Sequence, residues 1–392
     1  MIIKKSILFW FTIPIILVLL IITVIGGAYL WYYFNHFIYP IQPKAEEAFP
    51  EKPHWIYRAE GRIISTPVVQ DSLVFLRTPI NLIAIDSSTR DRKWIAKSNA
   101  PTGIHAADLT LAPQIGSGLL ISPQAGSSLI ALSLETGESV WDIPPEEENL
   151  KDSSLATIQS FQIEGNKVFV ARYSWSLSAY SLQDGNLLWE SDQVPDRATL
   201  FLVANSNCVF LGAVHNLQCF DPGSGKLLWK KTFDGVIDAL QLDERLLFIA
   251  LQSGNESLMA VDLNTLNTKW DLSPDEISGD KIRSMLSTEE TLFAGGNHLY
   301  AISVLDGSII WKSDEIGPLE TPVILDTNIF VRNTGRDLFR LDINSGKQVG
   351  RLEVRADSSM NDPDRSPAVI DGLLFVPFGD NRLLVYQFLG SQ

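Results

Sequence analysis

The chain has only two cysteines and five histidines in 392 residues. Neither type occurs at the Cys-x-x-Cys or His-x-x-x-His spacing typical of a metal site, so no metal is predicted. Two cysteines neither require nor exclude an oxidising compartment. Basic residues are also scarce: 31 Lys and Arg stand against 46 Asp and Glu, a formal net charge of −15. A surface of that sign repels phosphate backbones, and nucleic-acid binding is not expected.

The N-terminal segment carries no formal charge between Ser6 and Asn35, and residues 7–27 are almost wholly apolar. As a helix, those 21 positions would span roughly 31 Å, about the thickness of a bilayer's hydrocarbon core. Lys4 and Lys5 precede the apolar run, and the positive-inside rule places them in the cytoplasm. We therefore predict that residues 1–35 hold a single transmembrane helix in the cell (inner) membrane. The rest of the chain would lie on the periplasmic or extracellular side.

A cleaved signal peptide is the alternative interpretation, with Gly26 and Ala28 as the small residues before the cut. Signal-peptide apolar regions are typically about 7–15 residues long, which favours the uncleaved anchor. No cysteine follows the apolar run directly, so a lipid-anchored lipoprotein is not supported. Residues 36–53 contain four prolines and are expected to form a semi-rigid linker. Residues 54–392 remain for the main domain.

A thirteen-residue phrase, Leu-x-Ala-x-(Asp/Ser)-x-x-x-Gly-x-x-x-Trp, recurs about every forty residues in this domain. Self-similarity at such a period is typical of a repeat architecture. Six copies end in a tryptophan, the seventh ends in Gly350, and the eighth stops before its second half. The copies begin at Leu82, Leu129, Leu177, Leu217, Leu258, Leu299, Leu338 and Leu383.

Each period also contains a hairpin, in which two short β-branched and aromatic runs flank an Asp, Asn or Gly turn. The phrase adds a third strand, a turn and a fourth strand, so one period encodes the four antiparallel strands of a β-propeller blade. The last period supplies only three strands, and residues 54–57 resemble an isolated fourth strand. We therefore predict an all-β, eight-bladed β-propeller whose ring is closed by an N-terminal strand, behind an N-terminal transmembrane helix.

The tryptophans at the ends of the phrases are predicted to be structural, since a large ring there can wedge between blades and bury roughly 150–250 Å². Alanine at Trp189 or Trp229 is expected to cost about 3–5 kcal/mol. The junction marked by Gly350 is expected to be the weakest. The predicted blade-docking residues are Trp55, Trp94, Trp141, Trp189, Trp229, Trp270 and Trp311.

The phrase resembles the PQQ-like β-propeller repeat, which is found in quinoprotein dehydrogenases and in BamB-type propellers, and the resemblance covers about residues 54–388. WD and kelch repeats fit less well, because the periods lack the Gly-His pair of the former and the glycine pair per blade of the latter. The quinoprotein branch implies PQQ held against a ring of two adjacent cysteines, with calcium beside it. Cys208 and Cys219 are eleven residues apart, so we expect no cofactor and no enzymatic activity.

The BamB-type branch implies a scaffold for assembling outer-membrane β-barrels. We therefore predict a membrane-anchored, extracytoplasmic, non-catalytic scaffold that binds proteins. Its predicted partners are the lipid bilayer, through the N-terminal helix, and another envelope protein. The alternatives are a sensor or small-ligand-binding propeller and, less favoured, a PQQ-dependent oxidoreductase.

Uneven loop lengths indicate which face would bind the partner. In a four-stranded blade, the loops between second and third strands share a face with the blade-to-blade connections, and the long connections 95–108, 142–158 and 351–365 lie there. Long loops on a rigid scaffold usually carry binding residues. The alternatives are packing of Trp175 on a neighbouring loop and ordinary solvated charge. The candidate rim residues are Trp175, Arg332, Arg336, Asp380 and Arg382.

Cys208 and Cys219 fall on the second and third strands of one blade, roughly opposite each other across a hairpin. A cross-strand disulfide is possible there outside the cytoplasm, provided that the Cβ geometry is suitable. Two buried free thiols acting as small hydrophobic side chains are the favoured interpretation.

Overall fold

The computed structural model describes residues 49, 52–98, 111–124, 128–144, 158–172, 176–191, 194, 200–335, 337–353, 366–378 and 381–388. Within these ranges, 32 strands form eight four-stranded antiparallel sheets. The predicted transmembrane helix, most of the predicted linker, Trp175, Arg336 and Asp380 lie outside the described residues. No helix in the described ranges is long and apolar enough to cross a membrane.

The strands of the first three blades are β2 (Val68–Gln70), β3 (Leu73–Arg77), β4 (Asn81–Asp86) and β5 (Arg92–Lys97) in blade 1; β6 (Gln114–Gly116), β7 (Leu119–Pro123), β8 (Leu129–Ser133) and β9 (Ser139–Ile143) in blade 2; and β10 (Ile158–Glu164), β11 (Lys167–Arg172), β12 (Leu177–Ser181) and β13 (Leu187–Ser191) in blade 3. The next three blades consist of β14 (Leu200–Ala204), β15 (Val209–Ala213), β16 (Asn216–Phe220) and β17 (Leu227–Thr232) in blade 4; β18 (Val236–Leu242), β19 (Leu246–Gln252), β20 (Leu258–Asp262) and β21 (Thr268–Leu272) in blade 5; and β22 (Ser284–Ser287), β23 (Thr291–Gly295), β24 (Leu299–Ser303) and β25 (Ile309–Lys312) in blade 6. The last two blades consist of β26 (Val323–Leu325), β27 (Asn328–Arg332), β28 (Leu338–Asp342) and β29 (Gln348–Leu352) in blade 7, and of β30 (Ala368–Ile370), β31 (Leu373–Phe378), β32 (Arg382–Gln387) and the N-terminal strand β1 (Trp55–Arg58) in blade 8.

The sheets form a closed ring, which confirms the predicted eight-bladed β-propeller. The first strands of neighbouring blades contact one another at seven of the eight junctions, including β2 with β30, so these strands surround the centre and the fourth strands lie outermost. The N-terminal strand β1 pairs antiparallel with β32, with Trp55 opposite Val385, and completes blade 8. Chain closure by β1 is thus confirmed. The ring removes the two sheet edges that an open array would expose.

Each blade is described by strands A to D, from the centre outward. The A–B turns of all blades and the C–D turns of blades 1 to 7 share one face of the ring, which we call the turn face. The B and D strands end, and the C strands begin, on the opposite face, which we call the connection face. The B and C strands are buried on both sides, whereas the D strands alternate: in β13, Trp189 is buried between exposed Leu188 and Glu190. This alternation is expected of strands with one face on a core.

Five tryptophans make the same contact with the following blade. Each indole Nε1 donates a hydrogen bond to a backbone carbonyl at the start of the next C–D turn, and the ring lies against the glycine of that turn. The donor–acceptor pairs are Trp94–Leu134 (2.8 Å), Trp141–Leu182 (2.9 Å), Trp189–Pro222 (3.0 Å), Trp270–Val304 (3.1 Å) and Trp311–Ile343 (2.9 Å). The glycines under the rings are Gly137, Gly185, Gly225, Gly307 and Gly346.

These glycines are needed for two reasons, and Gly346 illustrates both. Its φ is +67°, and a Cβ added there would overlap the Trp311 ring. We expect Gly346→Ala to lower the free energy of unfolding by about 2–4 kcal/mol, the sum of backbone strain and overpacking. Gly165→Ala is the matched control, because Gly165 has φ +58° but open space around it. Urea unfolding of both variants checks the difference, and equal losses would show that the ring contact is unimportant.

Three of the eight junctions depart from this pattern. At junction 4/5, Trp229 faces a turn in which Leu266 replaces the glycine; its ring is only half-buried and its indole has no hydrogen bond among the described residues. At junction 8/1, Arg90 replaces the glycine, and the buried Trp55 Nε1 has no partner in the described ranges. At junction 7/8, Gly350 replaces the tryptophan.

Junction 7/8 is filled by Phe49, a residue of the predicted linker. In blades 1 and 3 to 6, a B-strand phenylalanine lies 5.8–6.0 Å from the tryptophan of its own blade. The equivalent Phe330 of blade 7 instead lies 5.8 Å from Phe49. Phe49 also contacts Tyr386 (4.9 Å) and Phe388 (6.2 Å) and is only 3% exposed. The weakest junction was expected at Gly350 because the seventh phrase has no tryptophan to pack there. In the structure, Phe49 occupies that position.

Cys208 and Cys219 form a disulfide, so the preference for free thiols is wrong. Their Cα atoms are 5.6 Å apart, which lies within the range that a disulfide requires. Both residues are at most 5% exposed. Cysteines are expected to be buried both as free thiols and in a disulfide. The expected burial therefore could not distinguish between these two states from the sequence. Disulfides persist in oxidising compartments.

Candidate functional site

The described part of the predicted rim contains Arg332 and Arg382, and the two differ. Arg332 ends β27 and is only 3% exposed; its Nη2 donates to the Pro377 carbonyl of blade 8 at 2.7 Å. It therefore joins two blades and does not form an exposed polar rim, contrary to the prediction. Arg382 begins β32, is half-buried, and stacks its guanidinium 4.7 Å from the Phe378 ring centre. Arg382 stays a candidate for partner binding.

Two further arginines at the ends of B strands were missed: Arg77 lies opposite the first leucine of its phrase, as Arg332 does, and Arg172 lies one residue further along its strand. Arg77 and Arg172 each end a B strand and are at most 2% exposed. Arg77 Nη1 donates to the Leu111 carbonyl, just before blade 2, at 3.0 Å, and Arg172 donates to Ser178 Oγ and Tyr180 OH. An arginine directly after an apolar B strand is thus a packing feature of the connection face. A comparison of the B-strand ends between repeats could have identified these arginines from the sequence.

A polar cluster that sequence reasoning also missed lies on the connection face of blade 6. The Asp280 carboxylate accepts hydrogen bonds from His298 Nδ1 (2.8 Å), the His298 amide (3.0 Å) and the Tyr300 hydroxyl (3.1 Å). Burial raises the pKa of Tyr300, which keeps the phenol protonated as a donor. Lys312 Nζ donates to Ser278 Oγ above the Tyr300 ring. The cluster fastens the connection between blades 5 and 6.

The turn face presents a repeated carboxylate. Asp221 Oδ1 accepts from the Ser224 hydroxyl at 2.6 Å and from the Ser224 amide at 2.7 Å, and these bonds lower the pKa of Asp221 below its usual 3.8. Hydrogen bonds within the C–D turns also lower the pKa of the carboxyls at the equivalent position, Asp86, Asp262 and Asp342. In blades 3 and 6 the carboxyl with a lowered pKa lies three residues further along the turn, at Asp184 and Asp306. Asp side chains that bond to the backbone ahead of them favour tight turns.

Acid is expected to destabilise the propeller through these turns. A carboxyl whose pKa is lowered by folding stabilises the fold above its unfolded value of 3.8, and this contribution is lost as pH falls through the folded pKa. We expect the melting temperature to fall below about pH 4, and to fall less steeply for Asp221→Asn. Asp326→Asn, in an A–B turn, is the control. Parallel pH curves for wild type and Asp221→Asn would contradict this role.

The turn face also has an open groove between blades 5 and 6. It consists of two adjoining cavities of about 740 and 390 Å³ that share Arg245, Glu289, Glu290 and Val304 as lining residues. Gln241 and Ser287 lie at its inner part, where Gln241 Nε2 donates to Ser287 Oγ at 3.4 Å. The outer part is lined by Lys269, Leu305 and Ile310. No group of three or more potential metal ligands occurs in the described ranges.

Comparison with known proteins gives a family match over nearly the whole propeller. A family model described as "Outer membrane protein assembly factor BamB" matches residues 45–192, 176–313 and 276–391. The chain is 27% identical over 191 residues to the outer membrane protein assembly factor BamB of Burkholderia pseudomallei (strain K96243). That alignment covers 46% of this chain and 47% of the relative, so the chain spans about half the length of this curated relative.

Solved structures share the fold. BamB from Moraxella catarrhalis superposes with a TM-score of 0.65 at 18% identity, covering 86% of this chain and 99% of that one. The quinohemoprotein alcohol dehydrogenase of Comamonas testosteroni gives 0.62 at 12% identity, covering 87% and 78%. The computationally designed Ika8 protein gives 0.67 at 12% identity, covering 84% and 98%. At these identities the likeness concerns the fold alone, and it does not separate a scaffold from an enzyme.

Eight four-stranded blades and the tryptophan-ended repeat define the chain as a PQQ-like β-propeller. The resemblance inferred from the repeat is thereby confirmed. The family model matches nearly all of residues 45–391. The chain belongs to the family of the outer membrane protein assembly factor BamB.

Proposed function

We propose that this protein is a non-catalytic, protein-binding scaffold in the assembly of outer-membrane proteins. The family match carries this proposal, since the family is described by that role. Two observations support it. The phrase tryptophans that dock on a glycine turn have their rings and indole nitrogens engaged in contacts between blades. The two cysteines are joined across a hairpin, whereas the quinoprotein resemblance implies an adjacent pair.

We further propose that residues 1–35 hold the propeller at the outer surface of the inner membrane. The apolar run of residues 7–27 and the two lysines before it support this proposal. The disulfide supports the side of the membrane on which the propeller lies. Fractionation should leave the full chain in the inner membrane after alkaline extraction, and release by alkali would overturn the anchor.

The scaffold role is tested by chemical crosslinking in cells that carry an affinity-tagged full-length chain. We expect outer-membrane assembly proteins to co-purify by mass spectrometry. A tagged fragment of residues 1–53, which lacks the propeller, is the control for capture through the membrane segment alone. Recovery of no envelope protein above this background and the untagged control would contradict the proposal. Quinone absorbance after addition of PQQ would favour an oxidoreductase instead.

A further inference from the structure

The groove between blades 5 and 6 on the turn face has features that propeller packing does not require. We propose that it binds an extended segment of a partner polypeptide that carries basic and apolar side chains. This inference rests on the proposed function and assigns a surface to it. The surface differs from the sequence-predicted rim, which lies on the connection face.

Leu305 is the first of these features. It has 75% of its surface exposed, more than any other large hydrophobic side chain in the described ranges. It occupies the second position of the C–D turn of blade 6. The other blades with a complete turn carry no apolar side chain at this position, since they have Ser88, Glu135, Gln183, Gly223, Asn264 and Asn344. The repeat does not require a leucine at this position. A partner that covers Leu305 would gain the free energy of burying its side chain.

Carboxylates line the groove from both blades. Glu244 comes from the A–B turn of blade 5, and Glu289 and Glu290 come from the A–B turn of blade 6. None of the three side chains has a hydrogen bond or ion pair within the described residues. Arg245 and Lys269 supply two positive charges against these three and Asp243, so the lining keeps a net negative charge. A basic partner segment complements that charge, whereas an anionic lipid surface would be repelled.

An open strand edge adjoins the outer end of the groove. β25 is the outermost strand of blade 6, with no further strand beside it in the described residues. Ile309 and Ile310 on this strand are 37% and 55% exposed, and Ile310 lines the groove together with Leu305. Extended peptides bind such edges through main-chain hydrogen bonds, with side chains entering alternate pockets. The β25 edge beside the groove therefore favours a partner segment in an extended conformation.

A defined peptide tests the groove. The probe is a fluorescent ten-residue peptide of alternating lysine and leucine, titrated by anisotropy into the full-length protein in detergent. We expect Leu305→Asn to raise the Kd about tenfold, the scale of losing one buried leucine contact. The pair Glu289→Gln and Glu290→Gln should raise it about threefold to tenfold and flatten its salt dependence. A peptide with glutamate in place of lysine should not bind.

The control for unspecific attraction is the pair Glu135→Gln and Glu138→Gln, which removes two exposed carboxylates from the C–D turn of blade 2. Equal weakening by this pair, or no effect of Leu305→Asn, would overturn the groove as a binding site. Melting temperatures equal to wild type show that the variants are folded. If Leu305→Asn and the Glu289/Glu290 pair leave the crosslinked envelope proteins unchanged, the groove is overturned while the proposed scaffold function stands.

Discussion

Replacing Trp189 by alanine is expected to lower the free energy of unfolding by about 3–5 kcal/mol. The substitution removes a buried ring that fills the space over Gly225, and it removes the indole hydrogen bond to the Pro222 carbonyl. It therefore creates a cavity at a junction and leaves the acceptor without its donor. Urea unfolding followed by far-UV circular dichroism measures the loss.

Trp229→Ala is the matched control for this prediction. Trp229 ends the same phrase one blade later, but its ring is half-buried against the turn of Leu266 and its indole has no bond to the next blade in the described residues. We expect about half the loss seen at position 189. This expectation from the structure differs from the one based on sequence, which gave the same range of cost for both substitutions. Equal losses at both positions would show that neither the contact of the ring with the turn glycine nor the indole hydrogen bond stabilises the fold.

Replacing Phe49 by alanine is expected to cost about 3 kcal/mol, the lower end of the range for a buried phenylalanine. The Phe49 ring joins Phe330 of blade 7 to Tyr386 and Phe388 of blade 8, across a junction that has no tryptophan, and alanine is too short to reach either side. Phe49→Leu should be less destabilising, because it retains most of the apolar volume. The measurement is the melting temperature together with urea unfolding of the full-length protein.

Lys52→Ala is the control for Phe49, because Lys52 lies in the same segment and is exposed. It should leave unfolding unchanged. A melting temperature for Phe49→Ala equal to that of Lys52→Ala would mean that the segment before β1 contributes nothing to the ring. The comparison separates a packing role of the Phe49 ring from a general effect of altering the linker.

The fold was predictable because the same physical problem is solved eight times. Most blades combine a buried C strand, a tight C–D turn and a large side chain on the outer strand, and the repeat shows all three. Phe49 was not predictable, because it lies outside the repeat and reaches its place only once the ring is closed. A sequence shows that Gly350 leaves a gap, but long-range packing decides which residue fills it.

The candidate site was less predictable for a related reason. Loop length indicated the connection face, yet Arg332 proved to be buried between blades, because one residue decides whether a side chain ends a strand or begins a loop. Leu305 could have been found by comparing the same turn position in all blades, where it alone is apolar. The acidic side chains that share its groove come from turns about 15 and 60 residues earlier, and only the fold brings them together.

The irregular junctions have a geometric consequence for the disc as a whole. Junctions 4/5 and 8/1 both place a tryptophan over a turn without glycine, Leu266 in one case and Arg90 in the other. In a ring of eight blades these two junctions stand at opposite ends of a diameter, with four blades on either side. We therefore expect the disc to bend more easily along this diameter than along the others, with two half-rings of four blades each moving about it.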